Sequence, residues 1–401
     1  MTRLFETTTI KGIELKNRLV RSATHEGMSD ANGFPQQPLF DLYGRLAKGG
    51  VGLIFTGYAY VSRDGNSVFQ GMQGIDRDDH IPAYRKLVEH VHDRGAKIAM
   101  QIAHCGRQTT ATAAGTQPLA PSAVRDKSIF VTPRPMTEED IERVIEAFAQ
   151  AARRVKASGF DAVQLHAAHG YLLNGFLNPH TNRRKDRWGG SLDNRMRIVR
   201  EVYTRCRREV GADFPILIKM SAYDGMKNGI KPDEGILMAR LMAEMGFDGI
   251  EISCGIAEDN LTTSRGDLPV EAILDDWEMY RRRNPVYRAV MRRFGRRIVN
   301  PLPFSEAYNL EIARVVKRAV QVPVFLVGGM VNPVTMEKIV ADGEANYISL
   351  SRALIADPGF PEKIRNGSRE LSRCTHCNLC VGYLMTRPLR CYHGKRIPGR
   401  P

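Results

Sequence analysis

The chain alternates short apolar runs with longer segments in which apolar residues recur every three or four positions. A run of four or five apolar residues predicts a strand buried on both faces, and the wider spacing predicts an amphipathic helix. Apolar runs lie at residues 18–21, 53–56, 98–102, 162–165, 216–220, 249–253, 323–327 and 347–350. Helical spacing is present, for example, at residues 138–156, 192–209, 233–244 and 333–341.

A strand that alternates with a helix eight times predicts an α/β fold, the (β/α)8 TIM barrel with a parallel sheet. Two helices also have capping signals, Thr137 followed by Asp140 and Ser191 followed by Asn194. Residues 7–17 predict a hairpin that plugs the bottom of the barrel. An open, doubly wound sheet is the structural alternative, but it requires a divided chain, and no Pro/Gly/Ser-rich linker is present.

The length of 401 residues suits one such barrel with insertions. We expect the barrel to occupy residues 1–367 and a cysteine-rich extension to occupy residues 368–401. Two connections, residues 103–135 and 254–303, are too long for simple turns, and the second is the candidate for a lid that determines specificity. No apolar run approaches the roughly 20 residues of a membrane span, and the N-terminus has no signal-peptide core. A cytoplasmic protein is expected.

The formal net charge is +14, and such an excess of basic residues is also found in proteins that bind nucleic acid. The arginines are dispersed, with small clusters at residues 281–283 and 292–293, and no aromatic side chains are interleaved with them. Scattered surface arginine explains this charge better than a nucleic-acid site does. We therefore expect a small-molecule substrate and no nucleic-acid or membrane partner.

The most informative stretch is residues 161–191, where an apolar run leads into His166, His169 and Tyr171. Two imidazole N–H groups can hold an anionic carbonyl oxygen, and a phenol can supply a proton. A lone histidine is more often structural, but the three residues together predict a catalytic group.

The ends of the last two predicted strands carry a second signal. Strand seven leads into Gly328 and Gly329, and strand eight leads into Ser351 and Arg352. Barrels often bind phosphate between these two loops, where glycine amides approach the ligand and arginine donates charged hydrogen bonds. A phosphate-bearing ligand is expected there.

The segment HAAHGYLLNGFLNPHTNRRKDRWGGSLDNR, residues 166–195, resembles the signature of the old yellow enzyme family of FMN-dependent oxidoreductases. The resemblance covers roughly residues 3–367. It implies that FMN takes a hydride from NAD(P)H and passes it from flavin N5 to an activated C=C bond. Tyr171 would then protonate the substrate, and His166 and His169 would hold its carbonyl oxygen.

The resemblance also implies the residues that contact the flavin. They are Ser22, Ala23, Thr24 and His25 along one ring edge, Gly57 against the ring, Gln101 at the pyrimidine part, Lys219 near N1, and Gly328, Gly329, Ser351 and Arg352 at the phosphate. Four of these differ from the family pattern. Lys219 replaces arginine, Ser351 replaces glycine, Ala23 replaces proline, and His25 replaces cysteine or threonine.

Four of the seven cysteines lie near the C-terminus, at Cys374, Cys377, Cys380 and Cys391. Thiolates at this spacing suit zinc or an iron–sulfur cluster. The tail resembles the [4Fe-4S] segment of 2,4-dienoyl-CoA reductase and trimethylamine dehydrogenase, which implies single-electron exchange with an electron-transfer protein. The alternative is a vestigial or zinc-bound tail. Cys105, Cys206 and Cys254 are isolated and predicted to be small buried residues.

Three other functions stay open at this level. A flavin enzyme of this kind could instead oxidise an amine or remove a substituent. A flavin-free barrel could use Lys219 to form a Schiff base. An electron-transfer or sensor protein could use the barrel only to carry flavin. A homo-oligomer is expected, because relatives are often dimers or tetramers.

Overall fold

Eight parallel strands close into a barrel in this computed structural model, which describes residues 2–259 and 262–395. The strands are β1 (Leu19–Arg21), β2 (Leu53–Phe55), β3 (Lys97–Ala103), β4 (Ala162–Ala167), β5 (Ile216–Ser221), β6 (Ile250–Ser253), β7 (Val324–Val327) and β8 (Tyr347–Leu350). Each strand pairs with the next along the chain, and β8 pairs with β1 through the register of Ile348 with Leu19. The predicted (β/α)8 TIM barrel is therefore confirmed.

All eight apolar runs form barrel strands, and their ends differ from the predicted ones by at most two residues. The largest difference is in β4, which continues through His166 and Ala167. The apolar pattern missed this extension because a histidine interrupts it, although every residue of β4 is buried. His166 therefore belongs to the strand itself and not to the turn after it.

Helices surround the strands in the order expected of this fold. They are α1 (Gln37–Lys48), α2 (His80–His92), α3 (Glu138–Ala157), α4 (Leu192–Val210), α5 (Pro232–Met245), α6 (Leu310–Ala319), α7 (Pro333–Ala341) and α8 (Phe360–Arg365). Thr137 and Asp140 form a capping box at α3, and the Ser191 hydroxyl accepts from the Asn194 amide at α4. Both predicted caps are confirmed.

A hairpin of Thr8–Ile10 and Ile13–Leu15 precedes the barrel. Its side chains Ile10, Ile13 and Leu15 are buried in one cluster with barrel-interior residues of β1 to β5, β7 and β8. These contacts confirm the hairpin as the plug at the bottom of the barrel. The remaining short elements are Arg3–Phe5, Ala59–Tyr60, Arg63–Gly65, Gln73–Gly74, Ala111–Ala114, Leu119–Ala120, Arg134–Pro135, Leu172–Leu177, Thr262–Ser264, Arg352–Ala356 and Leu379–Gly382.

In its described residues, the long connection after β6 contains the α-helices Val270–Asp276, Glu278–Arg281 and Pro285–Val299. Residues 260–261 of the predicted lid, and residues 396–401 of the predicted tail, lie outside the described part of the chain. Over residues 2–259 and 262–395, we find no helix that combines the length and the apolar composition of a membrane span.

The described part of the cysteine-rich extension packs against the barrel. The Leu389 amide donates to the Glu26 carbonyl at 2.7 Å, and the Ser372 amide donates to the Val331 carbonyl at 2.9 Å. The indole N–H of Trp277, in the connection after β6, donates to the Gly382 carbonyl at 2.9 Å. The extension is therefore held at the rim of the barrel.

Candidate active site

A cavity of about 310 Å³ opens at the C-terminal ends of the barrel strands. Most of the residues selected from the sequence line it, namely Ser22, Ala23, Thr24, His25, Gln101, His166, His169, Tyr171, Lys219, Gly328, Gly329, Ser351, Arg352 and Cys380. The barrel brings these side chains together because parallel strands present their C-terminal ends at one face.

His166, His169 and Tyr171 form one cluster on the cavity wall. Their ring centroids are 5.1 Å apart between the two histidines and 4.7 Å apart between His166 and Tyr171. His169 has a left-handed backbone with φ of 63°, and Tyr171 precedes the short helix Leu172–Leu177. The end of β4, which carries His166, and the tight turn after it, which carries His169 and Tyr171, bring the three rings together.

Both imidazoles are held in the neutral form. Burial lowers the pKa of His166 and of His169 well below 6.5, and the nearby Lys219 charge lowers both further. The Ala168 amide donates to His166 Nδ1 at 3.4 Å, which favours a proton on Nε2. His169 Nε2 lies 2.8 Å from the Ser253 hydroxyl oxygen. Neutral imidazoles fixed in this way can donate hydrogen bonds into the cavity.

Tyr171 forms a pair with Tyr58, a residue that the sequence analysis did not select. The Tyr171 hydroxyl donates to the Tyr58 hydroxyl at 2.9 Å, and the ring centroids are 5.0 Å apart. Burial raises the pKa of both phenols. The only local signal for Tyr58 was its position just after the second apolar run.

A buried chain of polar side chains crosses the floor of the cavity. Gln101 Nε2 donates to Gln164 Oε1 at 2.7 Å, and Gln164 Nε2 donates to Glu251 Oε2 at 3.1 Å. Lys219 Nζ lies 3.5 Å from the same carboxylate oxygen and donates to Ser22 Oγ at 2.8 Å. Burial lowers the pKa of Lys219, while the Glu251 charge opposes that shift. This series of hydrogen bonds holds the Lys219 ammonium and the Gln101 amide in place in the floor of the cavity.

The opposite end of the cavity offers donors suited to an anion. Gly328 and Gly329 have φ values of 130° and 70°, a region that side-chain-bearing residues rarely adopt. Arg352 lines the cavity beside them. His376 also lines the cavity, and its Nε2 is a buried nitrogen atom without a hydrogen-bond partner among the described residues. A phosphate group would satisfy such donors, so the residues present fit FMN.

Three other residues selected from the sequence, Gly57, His25 and Ser351, each have a polar contact with another part of the protein. Gly57 does not line the cavity, because its amide donates to Glu26 Oε1 at 2.7 Å and the carboxylate occupies the space beside it. His25 Nε2 lies 3.0 Å from the Gln70 carbonyl oxygen, and burial lowers its pKa. The Ser351 hydroxyl lies 2.9 Å from the Thr24 hydroxyl, so serine at this position links the ends of β8 and β1.

The outer wall of the cavity is mostly apolar and was not predicted. Phe69 and Trp277 form an edge-to-face pair with ring centroids 5.4 Å apart. Val381, Leu384 and Leu389 of the cysteine-rich extension complete this wall. No local sequence signal could have placed the extension here, because its contacts join distant parts of the chain.

The four tail cysteines are partly buried. Burial raises the pKa of the Cys380 thiol to about 12, with Arg352 opposing and the charges of Cys374, Cys377 and Cys391 adding to the rise. Across residues 2–259 and 262–395, however, no three His, Cys, Asp or Glu side chains are arranged to hold a metal ion. We therefore assign no chemical step to a metal.

Cys105, Cys206 and Cys254 are each 0% exposed, which confirms them as small buried residues.

A buried ion pair joins two of the loops around the cavity. Arg107 Nη2 lies 2.6 Å from Glu258 Oε1, and both side chains are 2% exposed. His180 Nε2 lies 3.0 Å from the same oxygen. Burial alone would raise the pKa of Glu258, but the His180 hydrogen bond and the Arg107 charge lower it to about 2.

Replacing Glu258 by glutamine should lower the free energy of unfolding by about 2 kcal/mol near pH 7, the scale of a hydrogen bond to a charged group. The unfolded carboxyl protonates near pH 4.5 and the folded one near pH 2. Its contribution is therefore complete above pH 4.5 and lost as the pH falls toward 2. Urea unfolding of the wild type and of Glu258→Gln at several pH values measures this difference in the free energy of unfolding. Glu271→Gln, at an exposed pair with Arg292, is the control, and an equal effect of both variants would contradict the assignment.

A sequence model of the NADH:flavin oxidoreductase / NADH oxidase family matches residues 3–263. NADH oxidase of Thermoanaerobacter brockii is 34% identical over 390 residues, which cover 96% of this chain and 54% of that protein. NADPH dehydrogenase of Halalkalibacterium halodurans is 31% identical over 363 residues, which cover 90% of this chain and 93% of that protein.

Among solved structures, the complex of 2-naphthoyl-CoA reductase with 2-naphthoyl-CoA aligns with a TM-score of 0.81 and 27% identity. The alignment covers 96% of this chain and 56% of that one. The chain therefore spans about half the length of the NADH oxidase and of the reductase, and nearly all of the NADPH dehydrogenase.

Proposed function

Because this chain belongs to the NADH:flavin oxidoreductase / NADH oxidase family, we propose that it is an FMN-dependent enzyme that reduces activated C=C bonds with NAD(P)H. The substrates are α,β-unsaturated carbonyl compounds or related enoyl thioesters. The observation that carries this proposal is the cluster of His166, His169 and Tyr171 on one wall of a cavity with a cationic floor and an anion-binding end.

Two regions would hold the cofactor. Gly328, Gly329 and Arg352 would bind its phosphate, and Gln101 and Lys219 would contact its ring system. Bound FMN would supply hydride chemistry, accepting electrons from NAD(P)H and delivering them to the alkene.

The histidines act on the substrate carbonyl. His166 and His169 are neutral, so each can donate one N–H to the carbonyl oxygen and stabilise the negative charge that develops there. The Ala168 amide and the Ser253 hydroxyl hold the rings in place. Donors oriented before the substrate arrives lose little energy to reorganisation during the reaction.

Tyr171 supplies the proton. Its phenol remains protonated because burial and the neighbouring Tyr58 raise its pKa well above 10. Its position beside His166 lets it protonate the α-carbon of a substrate whose carbonyl oxygen the two histidines hold. Proton donation and carbonyl binding thus come from residues at the end of β4 and on the turn after it.

The outer wall favours a flat apolar substrate. Phe69, Trp277 and the tail residues Leu384 and Leu389 offer aromatic and aliphatic surface at this end of the cavity. The solved 2-naphthoyl-CoA reductase complex contains a ligand with a flat aromatic acyl group. We therefore place cyclic enones and thioesters with an apolar aromatic or enoyl acyl group ahead of substrates whose reacting part is charged.

The decisive experiment uses the purified full chain reconstituted with FMN. Oxidation of NADH or NADPH is followed under anaerobic conditions with 2-cyclohexen-1-one and with an enoyl-CoA thioester, and cyclohexanone is the control. The proposal expects turnover with at least one alkene, formation of the saturated product, and none with the control. FMN binding with reduction of a quinone but of neither alkene would contradict it.

An oxidative or single-electron reaction with a protein partner is the second candidate, and the spacing of Cys374, Cys377, Cys380 and Cys391 in the sequence favours it. Iron, zinc and acid-labile sulfide are measured on protein purified without oxygen. About four irons per chain would support a [4Fe-4S] cluster, whereas zinc or no metal would leave a structural tail. A Schiff base on Lys219 is disfavoured, because the chain belongs to the NADH:flavin oxidoreductase / NADH oxidase family. The oligomeric state stays a prediction.

A further inference from the structure

Hydrogen bonds join the cysteine-rich extension to the anion-binding end of the cavity. Arg352 Nη1 donates to Asn378 Oδ1 at 2.6 Å and to the Arg265 carbonyl at 2.8 Å. The Asn378 side chain is 2% exposed, and its Nδ2 donates to the Ser264 carbonyl at 2.7 Å and to the Asp267 carbonyl at 3.0 Å. Asn378 therefore fastens Arg352, just after β8, to the connection that follows β6.

His376, two residues before Asn378, has a fixed ring with an unpaired nitrogen. The ring lines the cavity and stacks on Phe304, with centroids 3.4 Å and planes 12° apart. The His376 carbonyl accepts from the Asp267 amide at 3.0 Å, so the backbone is held as well. Its Nε2 is buried and has no hydrogen-bond partner in the described part of the chain. Buried polar atoms are usually paired, so this nitrogen calls for a bound molecule.

The backbone of this segment is also unusual. His376 and Asn378 both have left-handed conformations, with φ values of 58° and 56°. Residues with side chains seldom adopt this region, and where surrounding contacts impose it the site is often a ligand site. The contacts of Asn378 with Arg352 and with the connection after β6 supply that constraint here.

We propose that residues 376–378 of the extension complete the site that binds the phosphate of FMN. His376 donates its Nε2–H to a phosphate oxygen, and Asn378 holds Arg352 in position to donate to the same group. A neutral imidazole offers one N–H, and a phosphate oxygen accepts charge-assisted hydrogen bonds. The proposal rests on the proposed function, since it requires FMN. Asn378 acts through Arg352 and is a positioning residue.

This proposal gives the extension a role in cofactor binding that requires no metal. Arg352 is close to Gly328 and Gly329 at one end of the cavity, and the hydrogen bond to Asn378 brings the extension to that end. His376 lines the same cavity, so a phosphate there would meet donors from β7, from β8 and from the extension.

Comparison of FMN with riboflavin tests the proposal, because riboflavin has the same ring system and no phosphate. The affinity of the flavin-free full chain for each flavin is measured by fluorescence titration. His376→Phe keeps an aromatic ring against Phe304 but removes the N–H. Asn378→Gly removes the acceptor of Arg352, and glycine adopts a φ of 56° without strain.

Each variant should bind FMN about 10- to 100-fold more weakly, the scale of a hydrogen bond to a charged group. The affinity for riboflavin should stay within about twofold of the wild type. His393→Phe is the control, because His393 is exposed on the same extension, and it should keep both affinities. A purely structural role of His376 or Asn378 would weaken the binding of both flavins alike.

A second measurement follows the phosphate itself. The 31P signal of bound FMN should shift in His376→Phe and in Asn378→Gly and should stay unchanged in His393→Phe. If His376→Phe does not fold, His376→Gly takes its place, because glycine suits the φ of 58° at this position.

The outcomes separate this proposal from the function on which it rests. Equal losses of FMN and riboflavin affinity in His376→Phe, or an unchanged FMN affinity with an unshifted 31P signal, would overturn the phosphate contact while the chain remained an FMN enzyme. A wild-type chain that binds both flavins equally would also overturn it. A wild-type chain that binds neither flavin would overturn the proposed function and this proposal together.

Discussion

Replacing Tyr171 by phenylalanine is expected to lower kcat for α,β-unsaturated ketones about 10²- to 10⁴-fold, the usual contribution of a positioned general acid. The ring is kept, so its packing beside His166, with centroids 4.7 Å apart, should persist. Only the proton that completes the reduction is removed. Rates are measured with NADPH and 2-cyclohexen-1-one under anaerobic conditions.

The control for Tyr171→Phe is a reaction that needs no proton delivered to carbon. Reduction of a quinone by NAD(P)H depends on the same cofactor, and its rate should stay within about twofold of the wild type. The affinity for FMN, measured by fluorescence titration, should also stay unchanged. If alkene and quinone reduction fall together, Tyr171 serves the fold or the cofactor site and not proton transfer.

Replacing Lys219 by methionine is expected to lower the free energy of unfolding of the cofactor-free chain by about 3–5 kcal/mol. Lys219 is 3% exposed and Glu251 is 0% exposed, and their charged atoms lie 3.5 Å apart. Removing the ammonium leaves a carboxylate without its counter-ion in the barrel floor. Urea unfolding at pH 7 measures the loss, and weaker FMN binding should accompany it.

Two further variants test the cause of that loss. The double variant Lys219→Met/Glu251→Gln removes both charges and should recover most of the stability. Lys97→Met removes a 40% exposed ammonium from Asp161, which keeps its contacts with His92 Nε2 and the Ile98 amide, and should cost less than about 1 kcal/mol. A double variant no more stable than Lys219→Met would show that packing, and not the unpaired carboxylate, causes the loss.

The Lys219 cation in the floor of the cavity depends on partners that are distant in the sequence. Glu251 accepts from Gln164 Nε2 at 3.1 Å and faces Lys219, so three strands contribute to one polar chain. Lys219 stood out as a lone charge in an apolar run, but nothing in its neighbourhood in the sequence names Glu251. Only the register of β5 with β6, which pairs Lys219 with Glu251, places the two side by side.

The sequence by itself determined the barrel and the local grouping of the candidate catalytic residues. Apolar runs of strand length alternate with segments of helical spacing. Because a parallel strand buried on both faces consists almost entirely of apolar residues, all eight strands could be located. His166, His169 and Tyr171 lie within six residues, so the end of one strand and the turn after it are enough to bring them together. Such features depend on neighbours along the chain, which the sequence displays directly.

The tertiary structure alone decided the pairing of Tyr58 with Tyr171, the distance of Gly57 from the cavity, and the placement of the cysteine-rich extension against the outer wall. Each depends on contacts between segments far apart in the chain. Chain closure and side-chain packing select those contacts from many that the same local pattern would permit. The histidine and tyrosine turn could therefore be found from the sequence, whereas its supporting partners could not.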